Sequence, residues 1–139
     1  GRRALIAEIQ ALVVKSSSPQ PRRVTNGVDS SRVAMLLAVL ERRAGISLSD
    51  KDVYVSTVGG MKIIEPAADL AIAIAIASAV SDKSVAKDVA AFGEISLSGE
   101  IRGVSNLSQR TNEATRLGHK QIVDSSSEQL KAALAKALG

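Results

Sequence analysis

The sequence has no cysteine and no tryptophan, and in 139 residues it has one tyrosine (Tyr54), one phenylalanine (Phe92) and one histidine (His119). Without cysteine there are no disulfides and no thiolate metal sites, which is compatible with a reducing compartment. At 1% aromatic content, base stacking on aromatic platforms is excluded as a way of holding single strands. Ala, Val, Ile and Leu must fill the interior instead. A Ser/His/Asp triad would depend on His119, which directly follows Gly118, a helix stop, and reads as a surface or strand-edge residue. There is no His pair, no EF-hand loop and no G-x-x-x-x-G-K-[ST], so neither a metal nor a nucleotide site is expected in this chain. Gly93, Gly99 and Gly103 lack a following Lys-Ser and read as turn residues rather than a phosphate cradle. The longest apolar run, 70–80, is bounded by Asp69 and Asp82 and is shorter than the ~20 residues that cross a bilayer. With no secretory signal visible, a soluble, cytoplasmic protein with no membrane partner is expected.

What is present is an aliphatic chain, 45% hydrophobic, of a size that builds one core, so residues 1–139 are read as one domain. Eighteen Lys and Arg against fourteen Asp and Glu leave a net charge of +4, a mild bias toward polyanions. "ALIAEIQALVV" (4–14) places Ala7, Ile9, Ala11 and Val13 on one face of a half-buried strand. The chain thus opens in mid-strand, as an excised domain would. "SSSPQP" (16–21) stops that strand, and "RRVTNG" reads as a short return strand turning at Asn26-Gly27.

"DSSRVAMLLAVLERRAG" (29–45) predicts a helix capped by Asp29 or Ser30 and ended by Gly45, with Val33, Leu36, Leu37 and Leu40 as its core stripe. Met35, Ala38 and Val39 lie on the opposite face beside Arg32 and Arg42, so a second side of the helix is covered. The cover is either a neighbouring subunit or the chain's own domain. "DVYVSTV" (52–58) is a strand, Gly59-Gly60 a turn and "MKII" a brief extended piece.

"EPAADLAIAIAIASAV" (65–80) alternates like a strand but is two or more times the usual ~5–6 residues of one. Ala is the strongest helix former, Pro66 suits a first helical position and Asp69 suits the positive first turn. Length and composition therefore predict a central helix, with Leu70 and Ile74 on one side and Ile72 and Ile76 on the other. "AAFGEISLSGEIRGV" (90–104) reads as a hairpin turning at Ser98-Gly99. "NLSQRTNEATRLG" (106–118) reads as a helix, "KQIV" as a short strand, and "SSSEQLKAALAKALG" as a helix with a Ser125 to Glu128 capping box. The order βαββα, hairpin, αβα gives an α+β domain rather than a Rossmann alternation, and no internal repeat is visible.

"PRRVTNGVDSSRVAMLLAVLERRAG", "DVYVSTVGGMKIIEPAADLAIAIAIAS", "FGEISLSGEIRGV" and "QRTNEATRLGHKQIV", in that order, resemble the C-terminal domain of the RadA (Sms) family of bacterial DNA-repair proteins, over nearly the whole chain. That domain is similar to the proteolytic domain of Lon, so the resemblance implies a Lon-like, ribosomal-protein-like βα fold. It also implies that this chain is a piece of a longer protein. A four-cysteine zinc finger and a RecA-like ATPase domain would lie outside it, and zinc, ATP and Mg would belong there, with no cofactor in this chain.

Lon peptidases use a serine in a Pro-Ser-Ala segment and a lysine in a Gly-Gly-Leu-Lys segment. The corresponding segments here read Glu65-Pro66-Ala67-Ala68-Asp69 and Ser105-Asn106-Leu107-Ser108, so the resemblance places Ala67 and Ser108 at the two dyad positions. Ala67 has no nucleophilic oxygen and Ser108 cannot serve as the lysine base. A catalytically vacant domain, not an enzyme, is expected. A substitute dyad of Lys62 with Ser96 or Ser98 is the alternative.

The resemblance further implies a hexameric ring, with copies of the chain, DNA and recombination proteins as partners, and branch migration and the processing of recombination intermediates as the longer protein's work. Met35, Ala38 and Val39 are the candidate ring interface. The basic residues fall in two groups suited to phosphate contacts: Arg22, Arg23, Arg32, Arg42 and Arg43, then Arg102, Arg110 and Arg116 with Lys120. A solvated surface is the alternative, since Glu113 lies three residues from both Arg110 and Arg116. A module for assembly without DNA contact is the remaining reading.

Overall fold

A computed structural model describes residues 9–60, 62–63, 66–82, 89–91, 93–102, 121–123 and 130–138. The first strand, β1 (Ile9–Lys15), turns Ile9, Ala11 and Val13 inward and leaves Gln10, Leu12 and Val14 exposed, as its alternation requires. β2 (Arg23–Asn26) and β3 (Lys51–Thr57) complete a mixed sheet of order β1-β3-β2, with β1 antiparallel and β2 parallel to β3. Parallel neighbours need a crossover, and α1 (Ser30–Arg43) supplies it between β2 and β3.

α1 starts where the Asp29 carboxylate accepts from the Ser31 N–H at 3.1 Å. At its other end Ala44 is the cap residue, one position before the predicted Gly45. The Ala44 and Ile46 N–H groups both close on the Leu40 carbonyl, and Gly45 supplies the positive φ of 71° that lets the chain wrap back. Val33, Leu36, Leu37 and Leu40 are buried as the periodicity predicts, and Val39 is buried with them.

After β3, Ile63 forms an isolated parallel bridge with Val28, and its N–H donates to the Gly27 carbonyl at 2.7 Å. A single 3-10 turn, Pro66–Ala68, leads into α2 (Asp69–Ser81). This resolves the Ala/Ile stretch as a helix, buried from Asp69 through Ile74 and again at Ile76 and Ala77. α2 packs on β1, α1, the strand at Glu94–Ile95 and the last helix α3 (Leu130–Leu138), and so runs through the middle of the core.

The stretch read as one long hairpin divides in two. β4 (Val89–Ala91) leaves to pair in parallel with β7 (Gln121–Val123), while β5 (Glu94–Ile95) and β6 (Ile101–Arg102) form a short antiparallel hairpin around Gly99 at φ 86°. The described residues make a mixed α and β domain with one three-stranded and two two-stranded sheets. The helix predicted at 106–118, His119 and the Ser125 to Glu128 capping box lie outside the described residues.

Candidate functional site

Ala67 sits inside the turn that starts α2 and is 5% exposed. Its carbonyl accepts from the Gly93 N–H, and the Gly93 carbonyl accepts from the Leu70 N–H, both at 3.0 Å. The backbone around the first dyad position is therefore stitched to the strand entering the hairpin. Gly93 is required for that approach: a Cβ there would lie 2.6 Å from Cγ2 of Ile101. Ser108, the second dyad position, lies outside the described residues. Of the substitute dyad, Ser96 and Ser98 bond to each other at 3.0 Å between their hydroxyl oxygens, and the Ser96 oxygen also accepts from the Glu100 N–H at 3.2 Å. Lys62 is exposed and bonds to neither serine among the described contacts.

Two residues beyond Ala67, the Asp69 carboxylate is 1% exposed, a burial that a charge tolerates only with partners. The Arg32 guanidinium provides them in bidentate form: Nε donates to Oδ1 at 2.8 Å and Nη2 donates to Oδ2. The Ile95 N–H donates to Oδ2 at 3.1 Å. One carboxylate thus ties together α1, α2 and the hairpin. The hydrogen bond to Asp69 is the main cause that holds the Arg32 guanidinium above its usual pKa. From sequence, Asp69 reads only as a favourable charge in a helix first turn; its single signal is that an acid opens an otherwise apolar helix.

Arg32 and Met35 of α1 face the hairpin across an open cleft of about 500 Å³, whose other wall is residues 94–98 and Arg102. Arg102 is 65% exposed and stands 3.9 Å from its cross-strand neighbour Glu94. At the hairpin tip Gly99 lies over the stem of Arg43, where an added Cβ would come 3.0 Å from the Arg43 Cβ. The chain's own hairpin is thus what faces the second side of α1. Of the candidate interface residues, Val39 is 3% exposed and has no surface to offer a neighbour, Met35 is half-buried in the cleft, and only Ala38 is exposed.

The predicted basic groups are regrouped. Arg23 donates to the carbonyls of Leu48 (3.0 Å), Lys51 and Arg22 (3.3 Å), clamping the loop before β3. The same Leu48 has its N–H held by the Glu41 carboxylate at 2.9 Å. The Arg22 N–H donates to Asp52 at 2.7 Å, the first cause that lowers the Asp52 pKa, with the Ser16 hydroxyl adding to it and desolvation opposing. Arg42 and Arg43 are exposed in the last turn of α1, while Arg110, Arg116 and Lys120 lie outside the described residues. Arg32, Arg43 and Arg102, drawn from both predicted groups, are brought to the hairpin. Sequence reasoning missed Glu94 and the hydroxyl pair of Ser96 and Ser98 as parts of one cleft with them, because only the tertiary packing of α1 on the hairpin joins them. Among the described residues there is no group of three or more His, Cys, Asp or Glu able to hold a metal, and no helix is long and apolar enough to cross a membrane.

Comparison with known proteins gives relatives called DNA repair protein RadA. The one from Halalkalibacterium halodurans is 44% identical over 123 residues, covering 88% of this chain and 27% of the relative. Those from Rickettsia bellii and Salmonella typhimurium are 47% identical over 130 residues (94% of this chain, 29% of the relative) and 45% identical over 123 residues (88% and 27%). The chain therefore spans little more than a quarter of the length of the relatives it matches. A family profile described as subunit ChlI of Mg-chelatase matches residues 28–128, a span that runs from the bridge at Val28 through α1, the Ala67 turn, the Arg32–Asp69 pair and the hairpin to beyond β7. On that match, the chain belongs to the ChlI family.

Proposed function

We propose that this chain is a catalytically vacant, Lon-like domain of a RadA-type DNA-repair motor, and that it assembles the longer protein into a hexameric ring and contacts the DNA the ring handles. The observation that carries this reading is the 44–47% identity to proteins named DNA repair protein RadA over most of the chain. The local chemistry supports the vacancy: the position that would need a nucleophile is a buried alanine, and among the described residues Ser96 and Ser98 bond to each other rather than to a base. ATP hydrolysis, magnesium and zinc belong to parts of the longer protein outside this chain, and the protein works in the cytoplasm on recombination intermediates.

The assembly surface is the open face of the three-stranded sheet. Register puts Leu12 and Val24 on either side of Tyr54, and Leu12 (57% exposed), Val24 (47%) and half-buried Tyr54 make an apolar band across it. This band offers a second copy more apolar area than the covered second face of α1 does. Sedimentation of a full-length RadA-type protein with and without this stretch tests the scaffold role. Loss of the hexamer on deletion is expected. A hexamer that survives deletion, together with a monomeric isolated domain at high concentration, defeats it. Cleavage of an unfolded protein, abolished by replacing Lys62 or Ser96, would instead establish the peptidase alternative.

A further inference from the structure

Among the described residues, the cleft between α1 and the hairpin holds more donors than its structural contacts use. Asp69 occupies Nε and Nη2 of Arg32 and fixes the guanidinium plane, so Nη1 remains as the donor of a residue that lines the cleft. Across from it, among the described residues, the one charged partner of Arg102 is Glu94, and 3.9 Å is beyond hydrogen-bond reach. The paired hydroxyls of Ser96 and Ser98 share one proton between them, which leaves the other available whichever serine donates. Arg43, eleven residues after Arg32 and so about 16 Å along the same face of α1, continues the line of cations to the hairpin tip. Against these stands a single acid lining the cleft, Glu94, directly across the hairpin from Arg102.

We infer that this cleft binds the phosphodiester backbone of a nucleic acid, with Arg102 and Arg32 donating to phosphate and Glu94 as the internal anion that a phosphate displaces from Arg102. The inference rests on the DNA contact in the proposed function and gives it a location and a brake. It also sets aside Arg23, whose side chain is engaged with three carbonyls. Glu94 lowers affinity in proportion to the charge it presents, so the free cleft is near neutral and fills only when a polyanion brings several phosphates along the Arg32–Arg43 line.

Fluorescence anisotropy of labelled double-stranded DNA, titrated with this chain at several salt concentrations, tests both parts. Glu94→Gln is expected to tighten binding about threefold, the worth of one exposed charge pair. Arg102→Gln is expected to weaken it about tenfold at low salt and to reduce the slope of log K against log[salt] by about one. Arg22→Ala is expected to change neither. All three positions are exposed or half-buried, and a cooperative thermal transition in each variant shows that the fold is retained. DNA binding that ignores both Glu94→Gln and Arg102→Gln overturns the inference while leaving DNA contact standing. No binding by the unmodified chain, even at low salt, removes DNA contact itself. Equal response with poly-glutamate in place of DNA would show a site for carboxylates and overturn the phosphodiester assignment.

Discussion

Asp69 shows how one buried charge organises its surroundings. Its carboxylate, 1% exposed, is satisfied by Arg32 and by the Ile95 N–H, so removing Arg32 leaves a buried charge with one neutral donor, and removing Asp69 leaves the Ile95 N–H without its acceptor. Arg32→Ala strands the carboxylate and is expected to cost about 3–5 kcal/mol in chemical denaturation. Arg32→Lys recovers little of this, because an ammonium cannot reproduce the two-point fork. At the surface, Asp52 has the opposite character: it is exposed enough to matter mainly through pH. Its pKa is lowered first by the Arg22 N–H. A carboxyl held low in the folded state stabilises the fold above its unfolded pKa, near 4, and loses that contribution as pH falls through its folded value. Asp52→Asn should therefore flatten the acid limb of a stability-against-pH curve below about pH 4 and leave Tm at neutral pH slightly lower. Neither pairing is legible in the sequence, because Arg32 and Asp69 are thirty-seven residues apart and Arg22 and Asp52 thirty. No local period links them.

α1 and α2 were readable because their signals are local. Asp29 caps α1 as its position before an apolar stripe implies, and α2 is a helix because alanine propensity and length outweigh a period-2 pattern. After α2, the short strand at "KQIV" and the turn at Ser98-Gly99 were readable too, but the separation of β4 from the hairpin was not, and Gly93 is the reason. The sequence 90–104 has the alternation and turn of a continuous hairpin, yet both polar groups of the Gly93 backbone are committed to the start of α2, one to Ala67 in the turn before it and one to Leu70 in its first turn. The chain is pinned at that point, so β4 continues on one side to β7 and the hairpin on the other to α1. Gly93→Ala is the direct test of this pin. Its Cβ would meet Cγ2 of a β-branched side chain, Ile101, at 2.6 Å, with Leu70 at 3.4 Å behind it. Neither can swing clear within a packed core, and a loss of about 1–3 kcal/mol in urea unfolding is expected. The same substitution should increase amide exchange at Leu70 and Ile95 ahead of the rest of the fold.

At the scale of the whole molecule, the covering of α1 decides where other chains can meet this one. The sequence shows that α1 is apolar on two sides but cannot show what covers the second. With the hairpin there and Val39 buried, that helix offers a neighbour little beyond Ala38. The apolar band of Leu12, Tyr54 and Val24 lies instead on the face of the sheet turned away from the inward residues Ile9, Val53 and Val55. It is flanked by the Gln10, Ser56 and Asn26 row on one side and by Asp52 beside Val14 on the other, a polar rim around an apolar centre. Leu12→Lys puts a charge at the middle of the band on an exposed strand position, where the isolated domain loses little stability because the side chain was already in water. In a full-length RadA-type protein carrying this chain, the same change should shift the proposed hexamer toward smaller species in sedimentation. A paired Ala38→Lys variant should leave the hexamer intact. If the two variants exchange these outcomes, the ring is built on α1 and the sheet face is free. If Leu12→Lys alone dissociates the ring, assembly and the hairpin cleft occupy different faces, so a subunit can hold its neighbour and a nucleic-acid backbone at once.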